Sequence, residues 1–381
     1  MPAAELYRSL GLRPIINCAT AYTRLGGSIM RPEVRAAMAD AADAFVSIPE
    51  LQVAVGKRLA ELTGNESAYV SNGAAAGLAL AVAAAITGDD PAKMARLPND
   101  LSGMKNEVIV HRTQRNFYDI AIRQTGATIV EIGHAMETAP WEIDAAINER
   151  TAAVVYFTGT HLNVHTLPLE YVVERAHAHG VPVIVDGAAQ VPPVSNLTHY
   201  TRECGADIAI FSGGKHIGGP QNSGLVVGRE DIIRNMRLNG PPNQRIGRAF
   251  KVAKETMIGL MVAVESYLSQ DHAKMWQDWS NTVDNWLDAW IERAPVGVAV
   301  FRDDVNEAGE PIPRVIVRFG NQSAWKRDPF VETLRGGDPA IDVVIHESDA
   351  VAFSPNLLQG DEAAQVARRV NDLLLGGPEA R

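Results

Sequence analysis

Two residues at the ends of two short apolar runs could do chemistry together. The run Val183-Ile-Val stops at Asp186, and Ile208-Ala-Ile-Phe leads through Ser212-Gly-Gly to Lys215 and then His-Ile-Gly-Gly-Pro220. Apolar runs of this length, cut off by polar and glycine residues, predict buried parallel strands. Open α/β sheets bind ligands at the carboxyl ends of such strands. A carboxylate and an amine at neighbouring strand ends are what pyridoxal phosphate requires: a lysine to carry it and an acid for its ring nitrogen. A carrying lysine must attack as the free amine, so a desolvated pocket that lowers its pKa helps. Ala188 is small enough to let a flat ring lie over the strand, and Ser212 stands within reach of the same phosphate.

A third part lies earlier in the chain. Ser67-Ala-Tyr-Val70 predicts a strand, and Ser71-Asn72-Gly73-Ala74-Ala75 leads from it into a long Ala/Leu helix. The free N–H groups at a helix start carry about half a positive charge between them. Small residues let a phosphate approach them. The other ring face needs a cover, for which Gln114, Arg115 and Asn116 all stand in the loop after the Glu107–His111 strand.

The elements around these residues alternate strand and helix. Strands are expected at 107–111, 127–132, 151–157, 183–186 and 208–212, with helices at 143–147 and 169–179 and a loop at 158–165. This predicts a parallel sheet covered on both faces. Asp89–Asn106 reads as a surface loop, and Leu238–Ala249 as a polar loop whose Arg245 and Arg248, with Lys251, form a basic cluster. A helical region over 251–291, broken near 269–272, leads to a smaller α+β domain with strands at 297–301, 314–319, 341–346 and 350–353. The expected division is an N-terminal arm and helix (1–48), a large cofactor-binding domain (49–265) and a small C-terminal domain (266–381). In the arm, Thr23 and Arg24 precede Gly26-Gly-Ser28; the stretch could pack on another subunit, line a substrate pocket, or do both.

Composition narrows the classes. The chain has 381 residues, 46% hydrophobic and 21% charged, with a net charge of −10, which disfavours non-specific binding to nucleic acid. Its two cysteines, Cys18 and Cys204, give no disulfide framework and suit a reducing compartment. With no signal-peptide layout and no apolar run long enough to span a bilayer, a cytoplasmic protein without membrane association is expected. No metal site is expected, because His161 and His165 lack further ligands at fitting spacing. His216 could touch cofactor or substrate.

Several stretches together resemble the selenocysteine synthase-like group of fold-type-I pyridoxal phosphate enzymes, the group that includes sugar-acid ammonia-lyases. They are Leu12–Asn17, Thr23–Ser28, Ser71–Ala76, Arg115–Asp119, His179–Ala189, Ser212–Gln221 and Ile246–Glu255. The resemblance implies an aspartate aminotransferase-like large domain with a mainly parallel sheet and a homodimer or larger homo-oligomer with shared active sites. It also implies Lys215 as the Schiff-base lysine, Asp186 as the pyridinium partner, and Ser71 to Ala75 with Ser212 at the phosphate. The activity expected is a lyase removing ammonia by α,β-elimination from a small hydroxy amino acid or amino sugar acid. Arg24, Arg115, Arg245 and Arg248 are the candidate cations for the substrate's carboxylate or phosphate. An aldolase or racemase would use the same carbanion, and a non-catalytic binding protein is the reading from another class. The chain begins almost directly with the Leu12-Arg-Pro stretch and shows no basic stripe, so a tRNA substrate is not expected.

Overall fold

The computed structural model describes residues 3–159 and 161–377; Thr160, within the loop expected at 158–165, lies outside them. The described strands in chain order are β1 (Ile15–Asn17), β2 (Ser67–Ser71), β3 (Glu107–His111), β4 (Thr128–Ile132), β5 (Thr151–Phe157), β6 (Val183–Asp186) and β7 (Ile208–Ser212). After them come β8 (Gly224–Gly228), β9 (Val298–Asp303), β10 (Arg314–Phe319), β11 (Ala340–Asp342), β12 (Val344–His346) and β13 (Ala350–Phe353). The chain forms two compact units. The larger comprises Ser28–Ser269 with the short segment Glu307–Glu310. The smaller comprises residues up to Gly27, Gln270–Asn306 and residues from Pro311 onward. The stretch expected as one N-terminal segment, 1–48, is thus shared between the two.

The larger unit is built on a seven-stranded sheet in the order β2-β8-β7-β6-β5-β3-β4. From β7 through β4 every neighbouring pair is parallel, while β8 runs antiparallel to both β7 and β2. The returning strand β8 therefore makes the sheet mixed. The strands are continuous apolar runs because both faces are covered. One face meets a core containing Leu59, Val185, Phe211 and Leu260, and the other a core containing Leu78, Val110, Ile184 and Ile210. Each such side chain contributes about 1.5–3 kcal/mol when fully removed from water. The helix Ala74–Thr87 is apolar on nearly all sides and almost wholly buried against the second face.

Two antiparallel neighbours in a row leave β2 pointing the same way as β7. The carboxyl ends of β2, β7, β6 and β5 consequently share one edge of the sheet. Register fixes their level: Ser71 and Ser212 both pair with Gly224, Asp186 pairs with Ile210, and Phe157 pairs with Asp186.

The smaller unit has an antiparallel sheet, β12-β13-β10-β9, packed on helices through Trp286, Trp290, Phe330, Phe353 and Val366. The strand expected over 341–346 is two strands. Ala340–Asp342 pairs with β1 and Val344–His346 with β13, because the chain changes partner at Val343. The expected loop Asp89–Asn106 also contains a helix, Pro91–Arg96. Asp90 caps it by accepting from Ala92 N–H (2.8 Å) and Lys93 N–H (3.3 Å), and Pro91 stands where a missing N–H costs nothing. Leu238, placed in a loop by the sequence, falls in the helix Glu230–Asn239, whose Ile232, Ile233 and Met236 are buried on one face.

Candidate active site

Asp186 is 8% exposed at the end of β6. Its Oδ1 accepts from Ala188 N–H at 3.0 Å, which fixes the carboxylate under the loop that follows the strand. Burial pushes its pKa up, against the Ala188 hydrogen bond and the charge of Lys215. Burial likewise pulls the Lys215 ammonium down, against the carboxylates of Glu310, Asp186 and Glu307. The two groups are close enough to act on each other through charge, as neighbouring strand ends require.

The Lys215 loop is held on several sides. Gly213 N–H donates to Ser223 C=O (2.9 Å), Gly219 N–H to Gly213 C=O (2.8 Å) and Gly218 N–H to Lys215 C=O (2.9 Å). A Cβ at Gly214 would lie 2.4 Å from the backbone of Gln221, so glycine is required where the loop folds back on itself. Ser28 closes the remaining side: its hydroxyl lies 2.6 Å from Lys215 C=O and 3.1 Å from Gly214 C=O, and its N–H donates to Gly214 C=O. Beside it, Gly187 N–H donates to Ile210 C=O (2.9 Å), and Ser212 N–H reaches Ala188 C=O at 3.4 Å. Ala188 and Ser212 thus border one another.

Across Gly224 stands the start of the helix Ala74–Thr87. Its N-cap, Gly73, has φ +82°, a conformation open to glycine, and no side chain caps the helix. A Cβ there would meet nothing within 4 Å, so there is open space beside the first-turn N–H groups of Ala74 and Ala75. Asn72 is half-buried in the same turn. Ser71 is 1% exposed, and its hydroxyl bonds the carbonyls of Gly73 (2.9 Å) and Gly224 (3.3 Å), bracing the turn from behind. An uncapped helix start, a buried carboxylate and a lysine with lowered pKa on one sheet edge fit pyridoxal phosphate: an anion site, a partner for a protonated ring nitrogen, and a nucleophilic amine.

Of the three residues after β3, Gln114 is wholly buried. Its Oε1 accepts from Phe157 N–H (3.2 Å) and its amide reaches Asn163 (3.4 Å), which ties this loop to the end of β5. Asn116 accepts from Tyr118 N–H (2.8 Å) and donates to Gln114 C=O (2.9 Å). Arg115 is committed to carboxylates, Asp119 at 2.6 Å and Glu131. Arg245 is half-buried and Arg248 exposed, and neither forms an ion pair among the described residues. Thr23 and Arg24 belong to the smaller unit, where Arg24 pairs with Asp342 and lies over the Tyr22 ring.

Glu310 escapes any reading of spacing. It is 2% exposed, its Oε1 lies 3.2 Å from His216 Nδ1, and its charge acts on Lys215. It arrives on Glu307–Glu310, a segment flanked on both sides by residues of the smaller unit. Gln190 holds this segment by donating to Ala308 C=O at 2.8 Å. The only sequence signal is a pair of acidic residues around Ala-Gly, which surface turns share.

The family model for SelA, L-seryl-tRNA selenium transferase, matches residues 16–277, which include every one of these elements except the Glu307–Glu310 segment. The chain belongs to the L-seryl-tRNA selenium transferase family. Within it, the chain is 35% identical over 378 residues to D-glucosaminate-6-phosphate ammonia lyase of Salmonella typhimurium, covering 97% of this chain and 98% of the relative. It is 33% identical over 380 residues to 5'-C-glycyluridine monooxygenase-decarboxylase of a Streptomyces species, covering 97% and 92%. A solved structure of D-glucosaminate-6-phosphate ammonia-lyase superposes with a TM-score of 0.82 at 32% identity, over 98% of this chain and 99% of that one. The fold is the type I fold of pyridoxal phosphate enzymes, and this family member is a pyridoxal phosphate-dependent enzyme.

Proposed function

We propose that the chain converts an amino sugar acid to a keto acid and ammonia, the β-hydroxyl leaving as water by α,β-elimination and the resulting enamine being hydrolysed, with Lys215 and Asp186 as the central catalytic pair. The observation that carries this reading is the end-to-end likeness to D-glucosaminate-6-phosphate ammonia lyase. Pyridoxal phosphate supplies an electron sink for the charge left at the substrate's α-carbon. Asp186 would hold the proton on the ring nitrogen, which a buried carboxylate does strongly because little water screens it. Lys215 would carry the cofactor, and burial, which lowers its pKa, favours the free amine that a base for the substrate's α-proton needs. The N–H groups of Ala74 and Ala75, with Ser212, would bind the phosphate, while Ser71, Asn72 and Gly73 shape the turn. Gln114 and Ala188 would hold the cofactor ring between them. Glu310, beside His216, sets the charge around Lys215 together with Glu307.

Arg245 and Arg248 are the cations we place at the substrate's anionic groups. Arg115 is the weakest of the proposed contacts, since two carboxylates already hold it. A homodimer or larger assembly with shared sites fits the fully exposed rings of Phe45 and Phe117. No described helix is long and apolar enough to cross a membrane. We place the enzyme in the cytoplasm, where its two free cysteines are at home.

The likeness to a monooxygenase-decarboxylase supports a second reading, oxidation of a glycyl-bearing substrate with loss of carbon dioxide. One experiment separates the two. The holoenzyme is offered phosphorylated and free amino sugar acids and β-hydroxy amino acids of both configurations, with ammonia, keto acid, carbon dioxide and oxygen uptake all followed. Ammonia and keto acid in equal amounts without oxygen uptake support elimination. Oxygen-dependent release of carbon dioxide, or an aldehyde or inverted amino acid without ammonia, overturns it.

A further inference from the structure

Outside the cofactor site, three side chains of metal-ligand type converge in the larger unit. Glu170 stands in the first turn of the helix Leu169–Ala178. His199 and Cys204 flank the turn that leads towards β7. The Cys204 Sγ lies 3.3 Å from His199 Nε2 and 3.4 Å from a Glu170 carboxylate oxygen, and the three ligand atoms all lie within 4.8 Å of one another. Cys204 is buried, His199 half-buried and Glu170 exposed, so the cluster has a closed side and an open one.

These separations are those of a coordination polyhedron. With zinc–sulfur and zinc–nitrogen bonds of about 2.3 and 2.0 Å, a tetrahedral angle puts the two ligand atoms roughly 3.5 Å apart. One ion can therefore touch the thiol, the imidazole and the carboxylate with little rearrangement. The imidazole is also oriented from behind: His199 Nδ1 lies 2.8 Å from Glu203 Oε2, the carboxylate-to-histidine contact that accompanies most metal-bound histidines. A divalent ion binds cysteine as the thiolate.

We propose that Glu170, His199 and Cys204 bind one zinc ion, with Glu203 orienting His199 and the open side leaving the fourth position to water. Thiolate and imidazole together select zinc over magnesium or calcium. The ion ties the start of the helix Leu169–Ala178 to the turn entering β7.

Cobalt(II) titration of chelator-treated, untagged holoenzyme tests this, because a cobalt–thiolate bond adds a charge-transfer band, with d–d bands at longer wavelength, that difference spectra separate from the constant absorbance of bound pyridoxal phosphate. A saturable band at one cobalt per chain, displaced by zinc, is expected. Cys204→Ser should abolish it, Cys18→Ser should leave it, and Glu203→Gln should weaken cobalt affinity about tenfold or more while keeping the band. If Cys204→Ser fails to fold, His199→Gln and Glu203→Gln decide the matter. Absence of a thiolate band in the wild type, or affinity unchanged in both of those variants, overturns the site.

Discussion

Gly224→Ala separates a cofactor-binding turn from ordinary packing. Gly224 pairs with Ser71 on the neighbouring strand β2 and with Ser212 on β7. A Cβ there would lie 2.4 Å from Ser71 Oγ and 2.6 Å from the carbonyl carbon of Gly73, so Ser71 and the helix start must move. Gly56→Ala is the matched control: its Cβ would lie equally near, 2.4 Å, to the Ala68 carbonyl oxygen, where the helix Ile48–Thr63 packs on the middle of β2. Overpacking of this kind costs about 1–3 kcal/mol. In Gly56→Ala that strain burdens the protein with and without cofactor, so pyridoxal phosphate affinity should stay within about twofold. In Gly224→Ala the strain falls on the phosphate cradle. Relieving it by displacing the cradle should weaken apparent affinity about 10- to 100-fold, since every 1.4 kcal/mol is tenfold. The assay is reconstitution of cofactor-free protein followed by the absorbance of bound cofactor, run in parallel with pyridoxal, which lacks the phosphate. The variant should lose most of the wild type's preference for the phosphorylated form. A Gly224→Ala protein that is destabilised like Gly56→Ala yet binds pyridoxal phosphate as the wild type does would refute the reasoning.

Four further outcomes follow from the same geometry. Asp186→Asn should bind cofactor but lose at least about 100-fold in turnover, with partial rescue by a cofactor methylated on the ring nitrogen, read by steady-state kinetics. The cofactor-free form of that variant should be more stable than the wild type at neutral pH. Burial raises the Asp186 pKa, so folding opposes an ionisation that the unfolded chain allows; the penalty is complete above the folded pKa and gone below the unfolded value, and the difference in melting temperature should vanish in acid. Glu310→Gln removes a carboxylate that supports the Lys215 ammonium, so the pH at which Lys215 half-reacts with the cofactor should fall below that of the wild type, followed by a pH series of cofactor capture. Arg115→Ala should lower the melting temperature with little change in KM, because its guanidinium serves Asp119 and Glu131, whereas Arg248→Ala should raise KM for an anionic substrate about tenfold.

The strands that deliver the site were legible because each is an uninterrupted apolar run ended by a functional residue. Val183–Asp186 and Ile208–Ser212 cannot be exposed without losing their burial, and their neighbours in register follow from β–α alternation. The helix start after Ser71 was equally plain, since small residues follow a strand directly. What spacing could not show was which side chains other partners had already taken. Arg115 is as basic in sequence as Arg248, yet Asp119 one turn away and Glu131 on β4 hold it. Glu310 was hidden because its segment joins the larger unit from between two stretches of the smaller one, and no periodicity marks it. The same holds for Glu170, His199 and Cys204, whose separations match no ligand motif because tertiary packing brings two segments together.

The claim on which the account rests is that Lys215 is the amine that carries pyridoxal phosphate. Borohydride reduction of the holoenzyme, followed by proteolysis and mass spectrometry, reads this directly. A phosphopyridoxyl group is expected on Lys215 and on no other lysine, lost in Lys215→Ala. A reduced adduct on a different lysine, or a yellow Lys215→Ala protein that still yields one, would contradict it.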